Sequence, residues 1–292
     1  MKLFDPHIHM TSRTTSDYQA MADAGIVAIV EPSFWLGQPR THVGTFEDYF
    51  LSLLGWERFR ASQFGISHFC TLSINPKEAN SPSIAQGVLE ILPRYLEKDG
   101  VVAVGEIGFD DQTDAEEHFF TEQLKLAMEF DLPVLIHTPH RDKKRGTERS
   151  LELVRKVGFP EQRVLIDHNN EETLPIVLKT NCWAGHSIYP YTKMDEHRMV
   201  ALIQTYGSER IIINSASDWG VSDPLKVPKT VEVMYEAGLD EKTIQTVVWD
   251  NPVAFFGQSE RLDLERGPID QGQLWEGNSV LRGQEPVVEP QD

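Results

Sequence analysis

What this 292-residue chain has little of narrows its class first. It holds two cysteines, Cys70 and Cys182, each in a strand-like apolar stretch, which argues against a disulfide framework and predicts buried free thiols in a reducing compartment. Positive charge is scarce: 27 Lys and Arg against 45 Asp and Glu leave a formal charge of −18, so long-range electrostatics oppose nucleic acid and anionic membrane. No apolar run approaches the ~18 residues of a membrane span. The opening MKLFDPHIHM shows no basic stretch followed by an apolar one. The expectation is a cytoplasmic enzyme without membrane insertion, acting on a small-molecule substrate, with nucleic acid disfavoured as a partner. Nothing selects an oligomeric state.

What is present is a rhythm. Short Val- and Ile-rich runs alternate with longer segments of helical period, the pattern of repeated βα units around a parallel sheet. Eight such runs lie at 2–9, 26–32, 67–74, 101–109, 133–138, 163–168, 182–188 and 210–218. Eight strands, with room for helices between them, predict an α/β fold, the (β/α)8 or TIM barrel, whose usual size is about 250 residues. Residues 121–131 place Leu124, Ala127, Met128 and Asp131 at helical spacing, and 146–159 read as a helix capped by Thr147 and ended at Gly158. The second connection is long and aromatic, predicting a substrate-facing loop followed by a helix; Phe34, Trp35 and Phe46 either meet substrate or pack over the barrel edge. From Gln258 the apolar pattern stops. The chain therefore divides into a barrel over 1–257 and a polar tail over 258–292, with Leu274 and Trp275 as candidate anchors.

The strongest local signal is Asp5-Pro6-His7-Ile8-His9, where imidazoles at i and i+2 on a strand share a side and can grip one metal. Ionisable residues recur after other apolar runs: Glu106, His137, His168 and Asp218. In a barrel the C-terminal strand ends converge on one face. Crowding so many polar groups there costs desolvation, and shared metal binding offsets it.

With these motifs the chain resembles the TatD-type metal-dependent hydrolases of the amidohydrolase superfamily. The resemblance rests on DPHIH, on GEIGFDD (105–111) followed by EEHFFTEQLKLAMEFDLPVLIHTPHR, on DHNN (167–170), on the strand-end Asp218 and on WDNPVAFFG (249–257), and covers residues 1–257. It implies a binuclear centre: His7, His9, Glu106 and Asp218 on the first metal, Glu106, His137 and His168 on the second, with Glu106 bridging. Two divalent ions about 3.5–4 Å apart would share a hydroxide and make it a nucleophile at neutral pH. Asp218 would orient it and carry its proton to the leaving group. Imidazole and carboxylate without thiolate point to Zn, with Mn, Fe or Mg as alternatives. Three places depart from the family pattern: NSASDWG lacks an acidic residue before the Asp and a Pro after it, SINP stands where His-Pro is common, and His186 is unusual on the seventh run.

His140, Arg141, Lys143, Lys144 and Arg145 form a basic cluster suited to a phosphate or carboxylate, or else a solvated loop. His186, Tyr189 and Tyr191 offer hydrogen bonds to an oxyanion, or pack; Asn169 and Asn170 support His168 or cap the next helix. The expected function is metal-dependent hydrolysis of a small ester, lactone, amide or phosphoester. The alternatives are a metal-dependent deoxyribonuclease and a non-catalytic metal-binding protein.

Overall fold

Strands form where the Val- and Ile-rich runs stand, because β-branched side chains pack well on a pleated surface buried on both faces. The computed structural model describes residues 1–35 and 37–265. Its eight strands are β1 (Leu3–Asp5), β2 (Ile26–Pro32), β3 (Ser67–Leu72), β4 (Val101–Gly108), β5 (Val134–His137), β6 (Val164–Ile166), β7 (Trp183–Ser187) and β8 (Ile211–Asn214). They pair in parallel in chain order, with helices between them, so the TIM barrel is the fold. Past the ends of β1 and β8, His9 N donates to the Ser217 carbonyl and Ala216 N to the His7 carbonyl, each at 2.8 Å. These two bonds draw the first and last strands together at the mouth.

Alternation sorts the side chains into two apolar regions. Phe4, Val30, Phe69, Val102, Leu135, Leu165 and Ile212 fill the barrel with Phe255 and Phe256 of the helix Asn251–Phe256. A larger cluster, including Ile29, Val104, Ile136, Ile166 and Ile213, lies between the strands and the helices. Leu262 and Leu264 extend along the inner cluster, while Leu274 and Trp275 lie outside the described residues. Cys70 and Cys182 are buried free thiols. No helix among the described residues is long and apolar enough to cross a membrane.

Two local expectations shift. His7 and His9 stand beyond β1, which ends at Asp5. The segment nonetheless stays laddered, because Ile8 N donates to the Val30 carbonyl on one side and His9 N to Ser217 on the other. The helix expected to start at Thr147 runs Lys143–Val157, so Thr147 is an interior, buried residue and no cap. Lys143 carries the helix back one turn, its ammonium held by Thr138 Oγ1 and the His168 carbonyl, both at 3.0 Å. Gly158 does end it, in the left-handed conformation at φ 77°.

The long second connection is a loop followed by a helix over Val43–Leu51, which continues through a widened turn at Ser52–Glu57 into Arg58–Ser62. Phe46 packs in the core, whereas Phe34 and Trp35 reach the barrel mouth. The loop is pinned by Arg40, whose guanidinium meets the buried Glu78 carboxylate at 2.9 Å and lies over the Phe46 and Tyr49 rings, 4.8 and 4.1 Å from their centroids. Arg40→Ala strands that carboxylate, so chemical denaturation is expected to show a loss of about 3–5 kcal/mol. Arg40→Met with Glu78→Leu removes both charges and recovers most of it; an unchanged midpoint for Arg40→Ala would refute the pin.

Candidate metal centre

The mouth is built on a polar layer inside the barrel. Leu165 faces the axis, so Asp167 two residues on faces it as well; by the same alternation β8 presents Ile212 and Asn214, and β7 presents Gly185 and Ser187. Asn214 Nδ2 donates to Asp167 Oδ1 and Oδ2 at 3.0 and 3.2 Å, and His168 N donates to Oδ1 at 2.7 Å. Ser187 Oγ donates to Asn214 Oδ1 at 2.7 Å. Gly185 is required by close approach: a Cβ there would stand 2.3 Å from Asp167 Oδ1.

This layer aims two imidazoles. His7 Nδ1 lies 2.5 Å from Asp167 Oδ2, and His168 Nδ1 lies 2.7 Å from Ser187 Oγ. Each ring's Nε2 is thereby turned into the cavity, the usual way an outer carboxylate or hydroxyl sets a ligand's tautomer. The hub is Glu106 Oε1, with His168 Nε2 at 3.2 Å, His137 Nδ1 at 3.4 Å and His7 Nε2 at 3.5 Å. His9 Nε2 stands 3.0 Å from His7 Nε2, and its ring is stacked on Phe34 with centroids 4.0 Å apart. Burial alone would raise the Glu106 pKa; the charge of His7 and the bonds from His137 and His168 outweigh it and hold the carboxyl well below its ordinary value. Asp218 lines the same cavity, of about 320 Å³, its Oδ1 accepting from Tyr189 OH at 2.8 Å and Gly220 N at 2.7 Å.

The donor set fits divalent cations. Three imidazole nitrogens surround one carboxylate oxygen, and His7, Glu106 and His168 offer atoms mutually within 4.8 Å, buried and free of thiolate.

The structure brings His7, His9, Glu106, His137, His168, His140, Tyr189 and Asp218 into one cavity. His140 is there as a neutral ring, since burial and then the nearby Lys193 push its pKa down to about 4. Three candidates stand elsewhere. Arg141 is exposed and lines no part of the cavity. His186 sits between the inward Gly185 and Ser187, so it faces the helix layer; it is fully buried, its nitrogens have no hydrogen-bond partner among the described residues, and burial pushes its pKa to about 4. Tyr191 is 92% exposed. Asn169 donates to the Ile166 and Gly185 carbonyls, and Asn170 Oδ1 accepts from Glu172 and Thr173 N at the following turn.

Five residues join the site unannounced. Asp167 was adjacent to His168 in the sequence, but its inward face depends on register. Asn75 Nδ2 reaches Glu106 Oε2 at 3.4 Å. Asp110 stands 3.8 Å from His137 Nε2 and is paired to Lys77 at 2.7 Å. Lys193 approaches His168 Nδ1 at 3.2 Å from a segment with no periodic pattern.

A model of the TatD-related DNase family matches residues 4–257. The chain belongs to this family. It is similar to a metal-dependent hydrolase of Methanocaldococcus jannaschii, 27% identical over 259 residues that cover 87% of this chain and 99% of the relative. The crystal structure of a TatD-like protein from Archaeoglobus fulgidus superposes with a TM-score of 0.72 at 28% identity, over 87% of this chain and 99% of that one. The phosphotriesterase homology protein of Escherichia coli, solved with phosphate in its active site, shares the fold with a TM-score of 0.62 at 13% identity, over 87% and 98% of the two chains. This TatD-family chain is a metal-dependent hydrolase.

Asp167 is the outer partner on which His7 depends, so Asp167→Asn is expected to weaken metal affinity about 10–100-fold, measured by competition with a chromogenic chelator. Wild-type affinity in a variant of native circular dichroism would show that Asp167 does not tune the centre.

Proposed function

We propose that this chain binds two divalent cations, Zn foremost, and hydrolyses a small ester, lactone, amide or phosphoester. The observation that carries this is Glu106: one carboxylate oxygen central to three imidazoles, with His9 and Asp218 at the same cavity. By this assignment His7, His9, Glu106 and Asp218 hold one cation, and Glu106, His137 and His168 the other. When bound, the cations polarise the scissile group and make water nucleophilic at neutral pH.

The protein's part is placement and proton handling. Asp218 takes the proton of the attacking water and returns it to the leaving group. The Tyr189 hydroxyl fixes that carboxylate and stays a donor, because burial and then the Asp218 bond raise its pKa. Phe34, Trp35 and Trp219 form an aromatic wall on one side of the cavity. A volume of about 320 Å³ suits a small molecule.

The second reading, a deoxyribonuclease, is favoured by the family description and by an adjoining groove lined with Lys143, Lys144 and Arg145. Asp142, Glu148 and Glu172 line that groove too, and Lys143 is spent on Thr138 and the His168 carbonyl. The small-molecule reading is therefore preferred. A non-catalytic protein would use the Tyr-held Asp218 as a ligand alone, whereas the hydrolase reading also gives it the proton to carry.

Metal analysis of purified protein should find two equivalents per chain, reduced in Glu106→Ala; one equivalent unaffected by that substitution would refute the bridge. On a panel of esters, lactones, phosphodiesters and oligonucleotides, Asp218→Asn should lower kcat by about 10²–10⁴-fold. Oligonucleotide cleavage outrunning every small substrate would decide for the nuclease, and metal binding without Asp218-dependent turnover for the non-catalytic protein.

A further inference from the structure

Lys193 is a cation set among the ligands, with no place in the chemistry above. Its ammonium lies 3.2 Å from His168 Nδ1 and 5.2 Å from the centre of the Tyr189 ring. The cavity's other lysine, Lys77, is paired with Asp110, whereas Lys193 has no carboxylate within ion-pair distance among the described residues. An ammonium carries three donors and no acceptor.

The contact with His168 cannot serve a metal-binding ring. Without a cation Nε2 donates to Glu106, but to offer its Nε2 lone pair to a cation held with Glu106 the imidazole must carry its proton on Nδ1. Ser187 Oγ is ready to accept that proton, since its own hydrogen goes to Asn214 Oδ1. Nδ1 is then a donor, and Lys193 faces it donor to donor. The lysine's hydrogen bonds are left for an acceptor inside the cavity, while Tyr189 keeps its stem in place.

Resting on the hydrolase reading, we infer that Lys193 is a specificity-determining residue that binds an anionic oxygen of the substrate, a carboxylate or phosphoryl oxygen. The cavity is arranged to match. His7 lies between His9 and His168, with ring centroids 4.9 and 5.2 Å away. Lys193 stands at the His168 end and the flat rings of Phe34 and Trp219 at the His9 end. A substrate with an acidic group at one end and an apolar or planar group at the other fits this polarity. Lys143, although near, has two of its three donors committed to Thr138 and His168, and His140 is neutral, so neither competes for the role.

The test uses the metal-loaded, full-length protein with Lys193→Met and Lys193→Arg, and has two readouts. Inorganic phosphate is titrated calorimetrically: Lys193→Met should bind it about tenfold or more weakly at unchanged metal content, with Lys193→Arg recovering part of the loss. Paired esters, one with a carboxylate on the acyl group and one neutral, are then compared. The loss in kcat/KM on the acidic ester should exceed that on the neutral one by about tenfold, mostly through KM. Unchanged phosphate affinity, or equal losses on both esters, would overturn the assignment. Should neither ester be turned over by wild type, the ester reading is what fails, and phosphate affinity still decides the role of Lys193.

Discussion

A carboxylate with no exposed surface at the barrel axis, Asp167, is the constraint on which the mouth of this molecule depends. Burial by itself would raise its pKa, but the imidazoles of His168 and His7 and the His168 N–H outweigh burial and keep it ionised far below the usual range. A buried charge of this kind persists only when its lone pairs are filled. They are filled from three elements: the segment after β1 through His7, β8 through Asn214, and the turn after β6 through His168 N. β7 contributes a glycine so that the carboxylate has room. The candidate ligands His7 and His168 are thus oriented by strands far apart in sequence, so their arrangement depends on the closed barrel.

Above that layer the cavity is asymmetric. One wall comes from the pinned loop after β2, where Arg40 and Glu78 hold the chain so that Phe34 lies on His9. The other comes from the segment after β7, where Tyr189 both steadies Asp218 and seats Lys193. An overall charge of −18 does not describe this interior, where the pocket collects cationic and donor groups around its acids. On the proposed reading, that contrast favours small anions over long ones.

The eight Val- and Ile-rich runs each became a strand, and the ionisable residues at their ends became the mouth, because alternation and strand polarity are local properties. Helix starts were less legible. Thr147 has the chemistry of a cap, yet Lys143 found two acceptors that only the folded barrel supplies, and the helix lengthened by a turn. His186 misled for a related reason: its residue type suits a site, but one position of register on β7 turns it outward and gives the inward places to Gly185 and Ser187.

From the sequence alone, then, followed the fold class, the family, and the residue types gathered at one end, since these depend on periodicity and on short motifs. Which groups serve which others was decided only in three dimensions. Asp167 behind His7, Asn75 on Glu106, Asp110 beside His137 and Lys193 against His168 are partners 160, 31, 27 and 25 residues apart. Their pairing depends on barrel register and loop closure, and neither leaves a periodic trace in the chain.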